Sequence, residues 1–365
     1  MASAIVVGAG VFGAALADRL AREAWQVTLV ERAEPGHRRA ESGGETRLIR
    51  CSHGADPFYP QLARRGLELW RELGRGILVE SGVAWFARRE DGWEAQSARV
   101  LGGHGISVER LAPSEGERLF PTLNTADLAY VLFEPEAGIL RAADGTRALV
   151  ERAREAGARL ELGDAKPEGA AMRLDGRVLE ADALVWACGG WLGELFPTLV
   201  RQRVTLQEVV LFQAGAEWRA PGWVDFDAGL YGHGLVEPHG FKVASDADGP
   251  NVDPSERPLE ASERAIAGAT KYLAHRFPGL AGAAVASAPA CHYSLTPDAG
   301  FLFARHPEHD RVWLLGGGSG HGFKHGPALA EHVADVLEGR AGPEPRFALG
   351  ERARADSLRT AGSGR

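Results

Sequence analysis

The sequence predicts a mixed α/β fold, a Rossmann-type dinucleotide-binding domain interrupted by an inserted, mostly antiparallel β-sheet. Three observations carry that prediction. Gly8-Ala9-Gly10-Val11-Phe12-Gly13 sits between a short apolar run and a helical stretch. Further apolar runs at 26–30, 183–187 and 312–315 have the character of strands buried on both faces of a parallel sheet. Between these pieces lie β-rich stretches, so the parallel units are separated along the chain instead of following one another.

In order, residues 4–7 read as the first strand, the glycine turn follows, and a helix runs to about residue 24. Residues 26–30 form the second strand, closed by Glu31. Leu62, Leu67, Leu69 and Trp70 give 58–73 the apolar face of an amphipathic helix. Residues 146–156 read as helix and 159–162 and 183–187 as strands. The run 312–315 enters the glycine-rich stretch 316–322 and a helix over 327–337. The β-rich stretches are 83–87, 129–133, 204–212, 241–244 and 285–295. There is no internal repeat, and the polar end after Arg352 is expected to fray.

Composition sets limits on function. A chain of 365 residues with 45% hydrophobic and 25% charged residues is globular and long enough for two domains. A net charge of −8 argues against a nucleic-acid partner. No apolar run reaches the ~18 residues of a membrane span, and the start lacks a basic leader, so a cytoplasmic protein is expected. Cys51, Cys188 and Cys291 are too scattered for a disulfide framework or a zinc site, and no metal is expected. Only four residues are lysines: Lys166, Lys242, Lys271 and Lys324.

The fingerprint assigns separate roles. Gly8 permits the tight turn, Gly10 lets backbone approach a pyrophosphate, and Gly13 lets helix and strand pack closely. The helix N-terminus then faces the diphosphate. Glu31 can accept hydrogen bonds from ribose hydroxyls, which disfavours a 2′-phosphate and leaves FAD and NAD. A bare βα turn is the alternative. In the loop Gly43-Gly44-Glu45-Thr46-Arg47-Leu48-Ile49-Arg50, one helical turn would put Arg47 and Arg50 on a shared face suited to an anion. Two surface arginines are the plainer reading of the same residues.

The fingerprint, the GGETRLIR loop, the ACHYSLTPD stretch and GGGSGHGFKHG together resemble the monomeric sarcosine oxidase branch of the D-amino-acid-oxidase-type flavoproteins. FEPEAGIL and ADALVWACGGW extend the likeness over nearly the whole chain. The resemblance implies FAD, oxidation of the C–N bond of a secondary or primary amino acid, and electron return to O₂ as H₂O₂. It implies an FAD-binding domain from 1–79, 141–200 and 296–350, a substrate domain from 80–140 and 201–295, a tail over 351–365, and a monomer.

Residue by residue, Cys291 matches the cysteine that carries FAD through a thioether at the 8α-methyl, the plainer alternative being a buried inert thiol. Arg50 and Lys324 match the pair that holds the substrate carboxylate, by a guanidinium fork and a compact ammonium. Lys242 matches the lysine that activates O₂ at the flavin, where a cation stabilises developing superoxide. Arg47 matches an arginine beside the flavin ring, and Tyr231 and Tyr293 match pocket aromatics, or else core residues with satisfied hydroxyls. Val11, Phe12, Arg32, Gly44, Thr46, Gly318, Gly320, His321, Gly322 and Phe323, with Arg47 and Lys324, complete the implied cofactor contacts. No general base is assigned; His321 and Tyr293 are candidate proton partners.

Three departures fall near the implied site. Asp246 stands where sarcosine-oxidising relatives carry a pocket histidine, Gly43 where they carry another, and His292 where they carry methionine. Asp246 is expected either to receive a second cationic or hydroxyl group of a larger amino acid, or to be a surface residue of the loop 245–249. A same-fold dehydrogenase with another acceptor, a biosynthetic imino-acid or tailoring oxidase, and a non-catalytic flavoprotein subunit are the competing functions.

Overall fold

The structure, a computed structural model, describes residues 1–353. Among them a six-stranded sheet runs in the order Leu302–His306, His309–Gly316, Ala183–Trp186, Ser3–Val7, Gln26–Glu31, Arg159–Leu162. All neighbours are parallel except Leu302–His306, which is antiparallel to His309–Gly316. Strand Ser3–Val7 lies centrally, with Val6 opposite Leu29 on one side and Val185 on the other. Both its faces are covered, which is why its sequence does not alternate.

One face packs under helices. Val6, Ala14, Trp70, Leu149 and Leu329 share a core drawn from the sheet and helices Val11–Arg22, Phe58–Leu73, Ala142–Glu155 and Gly326–Leu337. On Phe58–Leu73 the buried Tyr59, Ala63, Leu67 and Trp70 recur at three- and four-residue spacing, and Gly74 at φ 66° ends the helix. The other face is covered by a meander, Ala165–Glu168, Ala171–Leu174 and Arg177–Leu179, where the sequence reading had no element. Its Met172 and Leu174 pack with Ile5, Val7 and Trp186. The crossover from Arg159–Leu162 to Ala183–Trp186 therefore runs through strands, not a helix.

The second large sheet has nine strands. Its path is Val285–Ser287, Arg203–Phe212, Gly240–Ser245, Leu230–Val236, Gly222–Asp225, Val83–Ala87, Tyr130–Glu134, Glu109–Leu111, with Ala290–Leu295 also pairing Arg203–Phe212. All pairings are antiparallel except Gly222–Asp225 with Val83–Ala87. Helix Glu263–Arg276 packs on it through Ala269 and Leu273, against Phe212, Trp223, Phe241 and Phe277. The expected single stretch 285–295 is two strands broken around Pro289, and strand Leu230–Val236 and this helix were not foreseen.

A small sheet joins the two, with Gly138–Arg141 between Thr46–Ile49 and Leu78–Val79. This corrects one expectation. Residues 46–49 are strand, so Arg47 and Arg50 do not share a helical face; Arg50 lies just past the strand end. Residues 354–365 of the expected tail lie outside the described residues. Arg352, before them, pairs with Asp298 at 2.9 Å and donates to the Phe301 carbonyl at 2.9 Å.

Candidate flavin and substrate site

The carboxyl ends of the parallel strands open on a cavity of about 280 Å³. Of the expected cofactor residues, Gly8, Gly10, Val11, Phe12, Glu31, Arg32, Arg47, Gly318, Gly320, Gly322 and Phe323 line it. A Cβ on Gly8, at φ +102°, would lie 2.4 Å from the Ala187 carbonyl oxygen, and one on Gly13 would lie 1.9 Å from that of Gly8. Gly13 is therefore a packing residue beneath the turn. Glu31 is fixed by two backbone donors, Ala9 N–H at 2.7 Å and Ala33 N–H at 3.1 Å, and faces the cavity. Ser42 accepts from Val11 N–H at 2.9 Å, at the start of the fingerprint helix. A glycine-floored slot, a helix N-terminus and an oriented carboxylate fit a flavin dinucleotide with free ribose hydroxyls.

At one end of strand Thr46–Ile49 several expected residues meet. The Thr46 carbonyl accepts from Arg47 Nη1 at 2.7 Å and from Lys242 Nζ at 3.1 Å. Arg47 Nη2 also donates to the Glu41 carbonyl at 2.6 Å and lies 3.5 Å from Cys291 Sγ. The Thr46 hydroxyl is 2.7 Å from His233 Nε2, whose Nδ1 donates to the Gly234 carbonyl at 2.6 Å. Gly44 lies against the Arg47 guanidinium. Lys242 is buried, 5.3 Å from the Tyr231 ring centroid, and burial with Arg47 nearby pushes its pKa down to about 7. The Tyr231 and Tyr293 hydroxyls are 3.2 Å apart, and the Tyr293 ring packs over Gly320. Cys291 is half-buried beside this cluster.

At the other end of the strand stand Arg50 and Lys324. Arg50 donates to the Ser52 carbonyl and lies 5.0 Å from the Trp85 ring centroid. Lys324 Nζ donates to the His321 carbonyl at 3.4 Å. Helix Phe58–Leu73 holds this segment, Trp70 Nε1 donating to the Lys324 carbonyl at 3.0 Å while Gly66 leaves room for it. Both cations act on half-buried His53, whose pKa desolvation and their charge hold well below the usual range. His53, His321 and His325 bring ring nitrogens within 4.8 Å of one another. With Arg50 Nη1 3.4 Å from His53 Nε2 and Lys324 beside the group, two positive charges oppose a metal cation there.

Asp246 ends strand Gly240–Ser245 and is buried, 8% exposed, so it is not the surface residue of the alternative reading. Gly43 packs under the His37 carbonyl, where a Cβ would lie 1.8 Å from the oxygen, so no side chain enters from this position. The expected residues Gly13, Gly44, Thr46, Cys291, His321 and Lys324 do not line the large cavity, and they sit behind or beside it. The sequence reading missed Glu41, Ser42 and Ser294 on the cavity wall, where His292, noted only as a departure beside Cys291, also lies. It also missed Gly163 to Lys166 and gave Gly189 and Gly190 no role. The scarce Lys166 and the Gly189-Gly190 pair were the available signals.

The sequence matches the family described as DAO, FAD dependent oxidoreductase, over residues 3–336. It is 30% identical to the monomeric sarcosine oxidase of Streptomyces avermitilis over 355 residues, covering 91% of this chain and 92% of that one. Identity to the N-methyl-L-tryptophan oxidase of Salmonella typhimurium is 28% over 363 residues, 94% and 96% of the two chains. Among solved structures, L-proline dehydrogenase from P. horikoshii aligns with a TM-score of 0.82 at 19% identity, covering 95% of this chain and 96% of that one. A thermally stable fructosyl peptide oxidase mutant aligns at 0.84 and 19% identity, with 98% and 95% covered, so these two share the fold. No helix among the described residues is long and apolar enough to cross a membrane. The chain belongs to the DAO family of FAD-dependent oxidoreductases.

Proposed function

We propose that the protein is an amine oxidase. It takes a secondary (N-methyl or cyclic) or primary amino acid to the imine at the C–N bond, O₂ becoming H₂O₂. The single observation that supports this most is the arrangement along strand Thr46–Ile49: Arg47, Lys242, Tyr231, Tyr293 and Cys291 at one end, Arg50 and Lys324 at the other. Bound FAD supplies the two-electron acceptor. Arg50 and Lys324 hold the substrate carboxylate as fork and point charge. Tyr231 and Tyr293 form the aromatic wall, Arg47 supports negative charge on the reduced cofactor, and Lys242 stabilises charge developing on O₂. Cys291 carries the flavin as a thioether.

In this reading residues 1–79, 141–200 and 296–350 hold the dinucleotide, and 80–140 with 201–295 close the substrate side of a cytoplasmic monomer. The relatives named as sarcosine and N-methyl-L-tryptophan oxidases favour an N-methyl amino acid. A peroxide-coupled screen of N-methyl and cyclic amino acids tests the activity; silence across both classes, with FAD bound, overturns it. Acid precipitation tests the thioether: a yellow pellet supports it, and colour left in the supernatant refutes it. Buried Lys242 favours the oxidase over a dehydrogenase, and slow reoxidation by O₂ after anaerobic reduction would reverse that preference.

A further inference from the structure

Two buried polar atoms without a hydrogen-bond partner among the described residues face each other on the cavity wall. They are Glu41 Oε1 and His292 Nε2, 3.5 Å apart. Buried polar atoms in folded proteins are ordinarily satisfied, so an orphaned pair at a ligand cavity marks a place that a ligand completes. The pair has a fixed proton order. Arg257, 2% exposed, donates through Nε to His292 Nδ1 at 2.9 Å. Its other nitrogens donate to the carbonyls of Pro258, Ala290 and Arg38 at 2.8 Å each. Nδ1 is thus the acceptor and the ring proton sits on Nε2, the atom 3.5 Å from Glu41 Oε1. Burial, then Arg257 and Arg47, push the His292 pKa down to about 3, so the ring stays a neutral donor.

The Glu41 carboxyl reaches across the glycine floor, 3.2 Å from the Cβ position of Gly189 and 3.7 Å from that of Gly318. Burial pushes its pKa up to about 7, against the Ser294 hydrogen bond and the Arg47 charge. The charged and titratable groups around it are Arg47 from strand Thr46–Ile49, Cys291 and His292 from strand Ala290–Leu295, and Arg257 behind His292. Its chain neighbour Ser42 bonds the N-terminus of the fingerprint helix, so the carboxyl opens on the slot that receives an anionic dinucleotide.

We propose that Glu41 is a cofactor-binding acid, which meets the flavin dinucleotide as a neutral carboxyl beside the neutral His292 ring, so that cofactor loading takes up one proton. A dinucleotide presents phosphate, carbonyl and hydroxyl acceptors. An un-ionised carboxyl offers them an O–H, whereas a carboxylate in the same slot opposes the diphosphate charge. The inference rests on the family's cofactor and not on which amine is oxidised or whether Cys291 carries the flavin.

The test is FAD binding to the apoprotein of a Cys291→Ser variant, in which the flavin stays exchangeable, between pH 6 and pH 9. The Kd of that variant should rise by about tenfold per pH unit above neutrality, the limit for one coupled proton. Adding Glu41→Gln, which keeps a neutral donor of the same shape, should flatten the profile and bind FAD more tightly than the carboxylate at pH 9. Titration calorimetry at pH 8, in two buffers of different ionisation enthalpy, should show close to one proton taken up. It reads the Glu41-containing protein directly and does not depend on how the glutamine variant folds. A slope that survives Glu41→Gln, or no proton uptake at pH 8, overturns the proposal. Neither result bears on the amine oxidase reading, which the peroxide screen tests separately.

Discussion

The cofactor side and the substrate side of this molecule are built from different materials. The first is glycine and backbone: Gly8, Gly10 and Gly13 within one turn, with Glu31 clamped by the N–H groups of Ala9 and Ala33. The second is long cations carried into the interior, Arg47, Arg50, Lys242 and Lys324, from segments up to 277 residues apart in sequence. In the second sheet domain Arg276, fully buried, is matched by carboxylates, pairing with Asp225 at 3.2 Å and with Asp127 at 2.8 Å. Lys242 instead donates to a main-chain carbonyl, and its pKa falls to about 7. The backbone side holds shape, and the cationic side keeps charge available. Damage to the first should therefore appear as lost fold and lost flavin, and damage to the second as lost rate in a folded protein.

The largest expected effect lies on the backbone side. Gly13→Ala forces a Cβ to within 1.9 Å of the Gly8 carbonyl oxygen, and neither backbone can yield without moving the strand or the helix. A cost of about 3 kcal/mol or more is expected. Thermal melting and flavin content should show a destabilised, FAD-poor protein. A variant that melts normally and binds FAD would break the comparison at its stronger end.

On the cationic side, Arg50→Met and Lys324→Met should each lower kcat/KM by about a thousandfold, in line with removing one partner of a desolvated charge pair. The flavin spectrum and melting temperature should change little. If both variants lose flavin instead, the two sides are not separable. Lys242→Met should slow reoxidation by O₂ by about a hundredfold, the scale of one preorganised electrostatic donor, while anaerobic reduction by substrate is preserved.

The sign of the Lys242 shift gives a further test. Its pKa is lowered to about 7, so the cation is present below that pH and lost above it. Stopped-flow reoxidation should therefore be fastest on the acid side and decline as pH rises, by at most about tenfold per unit. The Lys242→Met profile should be flat. A rate that climbs with pH in the wild type would remove the ammonium from the O₂ step.

The same contrast governs what the sequence revealed. The fingerprint, its strand and helix, and Phe58–Leu73 were readable because their causes are local: glycine spacing, apolar runs and helical periodicity. The meander after Ala165 was missed, although Asp175-Gly176, both at positive φ, is a hairpin turn signal between its second and third strands. The three-residue spacing of Arg47 and Arg50 would suit one helical turn. Pairing of Thr46–Ile49 with Gly138–Arg141, about ninety residues away, overrode it. Glu41 carried no motif, and His292 stood out only as a departure inside one. Their significance comes from a strand and a loop meeting across 250 residues, which periodicity cannot report.

Asp246 carries the smallest expected effect and the sharpest bearing on substrate choice. It directly follows strand Gly240–Ser245, four residues beyond Lys242. It is buried, so its carboxylate was desolvated on folding, a cost that surface aspartates do not carry. A buried carboxylate just past the strand of the lysine proposed to act on O₂ is suited to receive a cationic or hydroxylated substituent of a larger amino acid. Asp246→Ala should then raise KM for such a substrate by about tenfold, roughly one charge-assisted hydrogen bond, and leave an N-methyl amino acid with an apolar side chain unchanged. Equal turnover of the polar substrate by both proteins would return Asp246 to a purely structural place at the end of its strand, and leave the two tyrosines to set specificity.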